Sequence, residues 1–268
     1  MANKRVETGR GRKPGVVKAS KKASTPNRAF YLIIALIAVG GIAALTYAST
    51  RPNAVVNASP VDTTLPKVAS QGYVMGSPTA PLEIIEFGDF ECPACGRFAV
   101  LTEPDVRKNF IDAGKVRWRF IDYPLPMHRN TWQASRAAAC ADEQGKFWPF
   151  HDLLYQNQDR WNSETTGDPD KVMKEYGRQL GLNSQQFDQC VDSKKYQAKI
   201  QAHLVLAEQR KVQSTPTFII GDQQVASALP YDDMAKYITD ALAKVGPAAP
   251  SGDTAKHATV GGAAKKAK

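Results

Sequence analysis

The stretch LEIIEFGDFECPAC, residues 82–95, places two cysteines directly after a predicted strand. Its first six residues are largely apolar and predict a strand, which Gly88 and Asp89 end. Pro93 suits the first turn of a helix, so we predict a helix that runs from Pro93 toward Lys108. The C-x-x-C motif therefore lies at a junction between a strand and the helix that follows it.

This junction has a chemical consequence for Cys92. The first backbone N–H groups of a helix have no partner within the helix, and the helix dipole adds positive potential there, so an anion is stabilised. Cys92 is thus favoured as the thiolate that attacks disulfides, and Cys95, one turn on, can close a disulfide with it. Two alternatives stay open. One is half of a zinc site, for which the sequence offers no second C-x-x-C and no H-x₃₋₅-H. The other is a static structural disulfide.

The segments beyond this junction predict an α/β domain with a helical insertion. Residues 116–121 alternate apolar and basic side chains, as a half-buried strand does. The region 130–211 has helical patterns throughout. Strand patterns resume at 217–220 and 224–227, and an amphipathic helix at 231–245 closes the domain. Because strands resume after the helical block, we interpret that block as an insertion and not as a separate domain.

The charge of the chain is concentrated at its two ends. The net charge is +9, of which +8 falls within residues 1–28 and +3 within residues 251–268, so the remainder carries −2. A nucleic-acid-binding domain should carry its basic patch on the folded part. Both basic ends have instead the composition of disordered segments. The sequence therefore excludes nucleic acid as a predicted partner.

An uncharged apolar segment follows the N-terminal basic tail. Residues 29–48 are long enough, at 1.5 Å each, to cross a hydrocarbon layer of ~30 Å. Tyr31 and Tyr47 fall near its ends, and the preceding basic excess predicts that the rest of the chain is exported. A cleaved signal peptide is the alternative, although its apolar region is usually shorter and the candidate cleavage site 46–48 is poor. Residues 49–67, rich in Pro, Ser, Thr and Asn, predict a linker.

Two further cysteines, Cys140 and Cys190, lie in helical contexts and far from any other cysteine. In the oxidising compartment outside the membrane, the simplest assignment is a structural disulfide across the helical insertion. Closing a loop of about 50 residues stabilises by ~4 kcal/mol in the chain-entropy model. Two buried free thiols are the alternative.

Three motifs together resemble the DsbA-like thiol-disulfide oxidoreductases, which have a thioredoxin fold. They are FGDFECPAC at 87–95, GKFW at 145–148 and TPTF at 215–218. The resemblance is strongest to the membrane-anchored branch that carries a second disulfide. It implies an α/β thioredoxin-like domain at 68–245, with the helical insertion at about 128–212, preceded by one transmembrane helix. A disordered basic tail, 246–268, is expected after the domain.

The resemblance assigns roles to five residues. Cys92 corresponds to the nucleophile and Cys95 to the resolving cysteine. Thr215 and Pro216 correspond to the cis-proline loop that faces the redox pair, where the Thr215 backbone can pair with an extended substrate. Glu86 corresponds to a buried acid beside the resolving cysteine, with a pKa that burial raises. An ordinary proline that opens a strand and a solvated Glu86 are the alternatives.

Two features near Cys92 predict a moderate oxidant. Glu91 is expected to be exposed, and its negative charge to oppose formation of the thiolate. The dipeptide Pro93-Ala94 also lacks the histidine found in the most oxidising members of the family. Without that cation beside the thiolate, a less extreme reduction potential is expected.

The resemblance implies an enzyme that introduces disulfides into exported polypeptides without a metal or organic cofactor. Its implied partners are reduced or unfolded exported polypeptides, met at an apolar groove, and a DsbB-type membrane protein that reoxidises it. Its implied location is the bacterial inner membrane, single-pass, with the catalytic domain on the periplasmic side. Two other functions stay open: a reductase or isomerase on the same fold, and a non-enzymatic anchored binding or chaperone module whose C-x-x-C is structural.

Overall fold

The structure, a computed structural model, describes residues 28–49, 57–62, 64 and 71–245, and divides the chain into two units at residue 54. In the first unit, helix α1 (Arg28–Ser49) covers the predicted membrane anchor. Over the described residues, no helix combines the length and apolarity needed to cross a membrane. Anchoring through 29–48 therefore stays a prediction. Except for Arg28, the predicted basic tails lie outside the described residues.

Six strands in the described part of the second unit form one mixed sheet. They are β1 (Asn57–Pro60), β2 (Tyr73–Met75), β3 (Leu82–Gly88), β4 (Val116–Asp122), β5 (Thr217–Ile220) and β6 (Gln223–Ala226). Their order across the sheet is β1-β6-β5-β3-β4-β2. Strands β3 and β4 are parallel, and the other neighbours are antiparallel. The strands predicted from residues 82, 116, 217 and 224 correspond to β3, β4, β5 and β6.

Helices connect and cover these strands. They are α2 (Pro93–Leu101), α3 (Glu103–Val106) continued by a π-helical segment (Arg107–Ile111), α4 (Thr131–Asp142), α5 (Phe147–Gln156), α6 (Gln158–Trp161), α7 (Asp170–Gln179), α8 (Ser184–Asp192), α9 (Gln197–Gln209) and α10 (Tyr231–Val245). Helices α4 to α9 form the predicted insertion between β4 and β5. The fold is thus the expected α/β arrangement, with the helical block inserted into one domain.

The helix predicted from Pro93 toward Lys108 is interrupted at Thr102. Helix α2 ends at Leu101, and Pro104 suits the first turn of the next helix because it has no N–H to leave unpaired. The Thr102 hydroxyl donates a hydrogen bond of 2.9 Å to the Leu229 carbonyl, which ties the break to the loop before α10. The apolar pattern runs through the break, so periodicity alone did not reveal it.

The prediction of a linker is wrong for residues 57–60. This segment is strand β1, which pairs antiparallel with β6 and brings Ala58 opposite Val225. The side chains of residues 58–60 are exposed, so these residues do not show the apolar alternation that predicts a strand. Pro60 is tolerated because the strand lies at an edge of the sheet.

Aromatic packing fixes the C-x-x-C segment on the sheet. The ring of Phe98, on α2, lies 4.6 Å from that of Phe218 and 6.0 Å from that of Trp118. On the insertion side, the Phe90 ring lies 5.1 Å from both Phe120 and Tyr155. Each such buried aromatic side chain contributes about 2 kcal/mol of hydrophobic stabilisation. Trp118, Phe120 and Phe218 share one face of the sheet, so these contacts hold the cysteine motif against that face.

Candidate active site

Cys92 is the residue that caps the N-terminus of helix α2. It has an extended backbone conformation, with φ −68° and ψ 121°, and Pro93 takes the first helical position. Strand β3 ends four residues earlier, so the turn from strand to helix presents the cysteine at its tip. Cys92 exposes 7% of its surface and Cys95 none. The two cysteines are free thiols in this structure, which therefore represents the dithiol form.

The environment of Cys92 favours its thiolate. The pKa of Cys92 falls from its ordinary value of 9.0 to about 5. The hydrogen bond from Cys95 is the largest cause, and burial opposes it. The side chain of Thr215 and the backbone N–H groups of Cys95 and Ala94 lower the pKa further. At neutral pH the Cys92 sulfur is consequently an anion, the form that attacks disulfides.

Cys95 has the opposite character. Its pKa is raised well above the ordinary 9.0, first by complete burial, then by the hydrogen bond and charge of Cys92 and the charge of Glu86. A thiolate and a thiol one helical turn apart form a polarised pair. Such a pair can attack a disulfide through one sulfur and release the resulting mixed disulfide through the other.

The loop before β5 closes over this pair. The peptide bond between Thr215 and Pro216 is cis. The Cys92 sulfur lies 3.4 Å from the Thr215 carbonyl oxygen, although the two residues are 123 positions apart. The structure thus places Thr215, which precedes the cis-bonded Pro216, against Cys92.

Glu86 lies inside the sheet and not at a solvated edge. It is 1% exposed and accepts a hydrogen bond of 3.0 Å from the Trp118 indole N–H. Burial is the largest cause that raises its pKa well above 4.5, and the charge of Glu103 adds to it. Burial thus favours the protonated form of Glu86, and Glu86 is among the groups that raise the pKa of Cys95, so the carboxyl group can exchange a proton with that sulfur.

The expectation that Glu91 is exposed is wrong. Its side chain points into the insertion, where its carboxylate accepts hydrogen bonds from the backbone N–H groups of Asn130, at 2.7 Å, and Ser163. Glu91 is 5% exposed. The partners come from segments 39 and 72 residues away, which no local pattern reveals. Those hydrogen bonds anchor the redox loop to the insertion.

Sequence reasoning missed a histidine close to the cysteines. Asp89, completely buried, accepts a hydrogen bond of 2.8 Å from the Leu125 backbone and lies 2.7 Å from Nδ1 of His128. The Asp89 carbonyl in turn accepts a bond of 3.1 Å from the Cys92 N–H. The hydrogen bond to Asp89 is the main cause that raises the pKa of His128 above 6.5, and the charge of Cys92 adds to it. A histidine absent from the C-x-x-C dipeptide is thus supplied by another loop.

Gln158 is a second residue that sequence reasoning missed. Its side-chain amide donates hydrogen bonds of 2.7 Å to the Phe90 carbonyl and 3.0 Å to the Cys92 carbonyl. Gly96 makes this approach possible, because a Cβ at that position would collide with the Gln158 side chain. The short helix α6 therefore supports the redox loop from the insertion.

Cys140 and Cys190 form a disulfide between α4 and α8. Both are buried, with 1% and 6% of their surfaces exposed. The bridge joins two helices of the insertion, as expected from the sequence. The predicted residues thus fall into two separate pairs, one open at the tip of a helix and one closed between helices.

Comparison with known proteins supports this description. A family model described as thioredoxin matches residues 69–240. The probable disulfide bond formation protein D of Bacillus cereus is 30% identical over 172 residues, which cover 63% of this chain and 78% of that protein. The crystal structure of oxidised BdbD from Bacillus subtilis covers 69% of this chain and all of that chain, with a TM-score of 0.61 and 22% identity. This structural likeness shows the fold.

A longer relative shares only part of its length with this chain. The Na(+)/H(+) antiporter NhaA 3 of Salinispora tropica is 31% identical over 186 residues, or 68% of this chain. The chain spans about a quarter, 27%, of that protein. The similarity therefore concerns one portion of the antiporter, and its transport activity is not carried over.

Proposed function

This chain belongs to the thioredoxin-fold family of DsbA-like thiol-disulfide oxidoreductases, and we propose that it introduces disulfide bonds into exported polypeptides through Cys92 and Cys95. The observation that carries the proposal is the opposite ionisation of the two sulfurs. Cys92 is held as an anion, with a pKa of about 5, while burial keeps Cys95 a thiol. The relative from Bacillus cereus, named for disulfide bond formation, supports the same activity.

The proposed reaction starts from the oxidised enzyme, in which Cys92 and Cys95 are bonded. A substrate thiolate attacks the Cys92 sulfur, the bond between the two cysteines breaks, and Cys95 leaves with the electron pair and takes up a proton. A second substrate thiolate then attacks the substrate sulfur of the mixed disulfide and displaces Cys92 as a thiolate. The substrate loses two electrons and gains a disulfide, while the enzyme becomes the dithiol described above.

The low pKa of Cys92 favours the oxidising direction over reduction or isomerisation. A stabilised thiolate stabilises the dithiol form of the enzyme, which makes the disulfide form a stronger oxidant. A reduction potential measured against glutathione tests the direction. A value nearer to about −120 mV supports an oxidase, whereas one near −270 mV indicates a reductase.

An extended, apolar segment of the client polypeptide is the proposed ligand of a groove along helix α2, the helix that Cys92 caps. Helix α2 and the loop before α10 line a cavity of about 310 Å³, with Phe98, Leu101 and Leu229 among its walls. Leu101 is 71% exposed, one of the large apolar side chains that face solvent. Unfolded substrates present apolar segments of this kind.

Trapping of a covalent intermediate tests the proposed reaction. In Cys95→Ala the resolving sulfur is absent, so a client that forms a mixed disulfide with Cys92 is not released by Cys95. The preformed disulfide of a small aromatic thiol on Cys92 supplies the oxidising equivalent, and a reduced unfolded polypeptide is then added. We expect a client adduct that dithiothreitol removes, seen on non-reducing gels and located by mass spectrometry. The double variant Cys92→Ala, Cys95→Ala is the control, and absence of any adduct in the single variant contradicts the assignment.

We further propose that residues 29–48 anchor the domain on the outer side of the bacterial inner membrane, where a DsbB-type membrane protein reoxidises it. The basic tail ahead of this apolar segment supports that orientation. Labelling of the full chain in intact cells with a membrane-impermeant maleimide tests it. We expect Cys92 of the dithiol form to be labelled and the protein to stay with carbonate-washed membranes. Labelling only after lysis, or release by carbonate, contradicts the proposal.

A further inference from the structure

The mechanism proposed above leaves one proton without a route to water. Cys95 gains a proton when the disulfide opens and loses it when the disulfide closes. Cys95 has no exposed surface, and Glu86, which acts on it, is 1% exposed. Proton exchange with solvent therefore requires further polar groups between this buried pair and the surface.

Glu103 and His151 each have a buried polar atom that could carry such a proton. Glu103 is 1% exposed and His151 not at all. Neither Oε2 of Glu103 nor Nε2 of His151 has a hydrogen-bond partner among the described residues, and the two atoms lie 4.0 Å apart. Unpaired buried polar atoms are uncommon because each costs the free energy of a lost hydrogen bond. A shift of about 1 Å brings this pair to hydrogen-bond distance.

The arrangement continues from His151 to the surface. Nδ1 of His151 lies 2.9 Å from Oδ1 of Asp152, whose side chain is 35% exposed. Asp152, Arg107 and Tyr155 line a cavity of about 160 Å³. The Tyr155 hydroxyl, also buried without a partner in the described part of the chain, reaches strand β3, since a Cβ on Gly88 would lie 3.2 Å from it. The cavity is thus close to the strand that carries Glu86.

Arg107 holds the two carboxylates of this cluster in place. Its Nε and Nη2 both donate to Oε1 of Glu103, at 3.0 and 2.8 Å. The other oxygen, Oε2, therefore faces His151. Its two terminal nitrogens also bind both oxygens of Asp152, at 2.8 and 2.6 Å. The charge of Glu103 is also among the causes that raise the pKa of Glu86.

We propose that Glu103, His151 and Asp152 form a proton relay between the buried pair Glu86–Cys95 and the cavity beside Arg107. The inference rests on the proposed function, in which Cys95 takes up and releases a proton. When the disulfide opens, the Glu86 carboxyl gives its proton to the Cys95 thiolate. Nε2 of His151 then gives a proton to the Glu103 carboxylate, which passes it to Glu86, and Nδ1 of His151 takes a proton from water through Asp152. One proton enters, one reaches sulfur, and oxidation reverses the steps.

A proton relay and a purely structural ion cluster affect different measurable quantities. A relay sets the rate at which the cysteines open and close, but not the reduction potential, which depends only on the end states. A structural or electrostatic role moves the potential, the pKa of Cys92 or the stability of the fold. The two roles are therefore separated by measuring rate and equilibrium in the same variant.

His151→Gln is the test variant, and His203→Gln is its matched control. His203 is 1% exposed, pairs through Nδ1 with buried Asp122 at 2.8 Å, and has an unpartnered Nε2 within the described residues. Its Asp122 partner lies on β4, and none of the causes that act on Cys95 involves this pair. The control thus removes a buried imidazole that, like that of His151, pairs with an aspartate through Nδ1.

The measurement is stopped-flow tryptophan fluorescence of the full chain during oxidation of a dithiol peptide, in dilute buffer. We expect His151→Gln to slow the reaction at least about tenfold, at the low end of general acid–base effects. The potential and the pKa of Cys92 should stay as in the wild type, and added imidazole should restore part of the rate. His203→Gln should react at the wild-type rate.

Three results overturn the relay: an unchanged rate in His151→Gln, an equal loss in His203→Gln, or a loss matched by a shift in potential. If His151→Gln does not fold, Asp152→Asn, at the exposed end of the path, decides by the same criteria. Failure of the proposed function looks different, because the wild-type protein itself would then not oxidise the peptide.

Discussion

The two cysteine pairs of this protein occupy opposite ends of helices. Cys92 caps the N-terminus of α2, where unpaired N–H groups and the helix dipole stabilise an anion. Cys140 and Cys190 each lie in the last turn of a helix, α4 and α8, where the dipole disfavours an anion. The position of a cysteine along its helix therefore distinguishes the reactive pair from the structural pair.

Burial also acts differently on the two pairs. All four cysteines are largely buried, yet the pKa of Cys92 is lowered, because Cys95, Thr215 and two backbone N–H groups offset its loss of solvation. Cys190 instead has the Glu143 carboxylate 3.3 Å from its sulfur. A closed disulfide there has no charge to stabilise and serves only to link helices.

The largest expected effect separates the pairs by activity. Cys92→Ala removes the attacking sulfur, so we expect oxidation of a dithiol peptide to fall at least about a thousandfold, as for loss of a covalent nucleophile. The double variant Cys140→Ala, Cys190→Ala should keep most of the activity where it remains folded. Peptide oxidation followed by mass spectrometry measures both. Comparable losses in the two variants would mean that the pairs are not functionally distinct.

The second-largest expected effect distinguishes the two cysteine pairs by their contribution to the free energy of unfolding. Removing the Cys140–Cys190 bridge, which spans 50 residues, should lower the free energy of unfolding by about 4 kcal/mol in the chain-entropy model. Urea unfolding of the double alanine variant and of the wild type, under non-reducing conditions, measures the difference. The control is Cys92→Ala, Cys95→Ala compared with the reduced wild type, where no bridge is lost. A larger loss in the control than in the bridge variant contradicts the assignment.

The third effect is a pH dependence confined to the open pair. With a pKa of about 5, Cys92 should react with iodoacetamide about tenfold faster at pH 7 than at pH 4 and then level off. The reaction rate of an ordinary thiol would instead keep rising as the pH increases through 8. The lowered pKa also stabilises the folded dithiol form. That contribution is complete above the unfolded pKa near 9 and is lost as the pH falls through 5. If the rate of the iodoacetamide reaction instead has its midpoint above pH 8, Cys92 titrates as an ordinary thiol and the prediction is wrong.

The sequence predicted the parts of this site that lie in one segment. The strand that ends at Gly88, the helix that begins at Pro93 and the C-x-x-C between them follow from local pattern and turn chemistry, and the structure has them. The helical insertion was also visible, because its apolar periodicity differs from that of the flanking strands. Glu86 was identified from the resemblance, and the structure accounts for its burial through the parallel pairing of β3 with β4.

The features that were missed depend on contacts distant in sequence. Glu91 was expected to be solvated, yet its partners come from loops that only the folded insertion brings near. His128 and Gln158 act through segments 30 or more residues away, and neither stands in a distinctive pattern. Residues 58–60 of strand β1 are exposed and show no apolar alternation, so only the pairing with β6 defines the strand. Local patterns predict elements well, but they do not predict which loops meet.

The smallest expected effect concerns the loop cation beside the open pair. Asp89 raises the pKa of His128 above 6.5, so His128 is protonated at pH 5, where Cys92 titrates, and favours the thiolate. His128→Gln should therefore raise the pKa of Cys92 by less than about one unit, as measured by thiolate absorbance at 240 nm. Arg129→Gln is the control, because this exposed neighbour bonds to the Ser163 carbonyl and not to Asp89. Equal shifts in both variants would indicate a general loss of positive charge, and no shift in His128→Gln would show that the helix end and Cys95 alone set the thiolate.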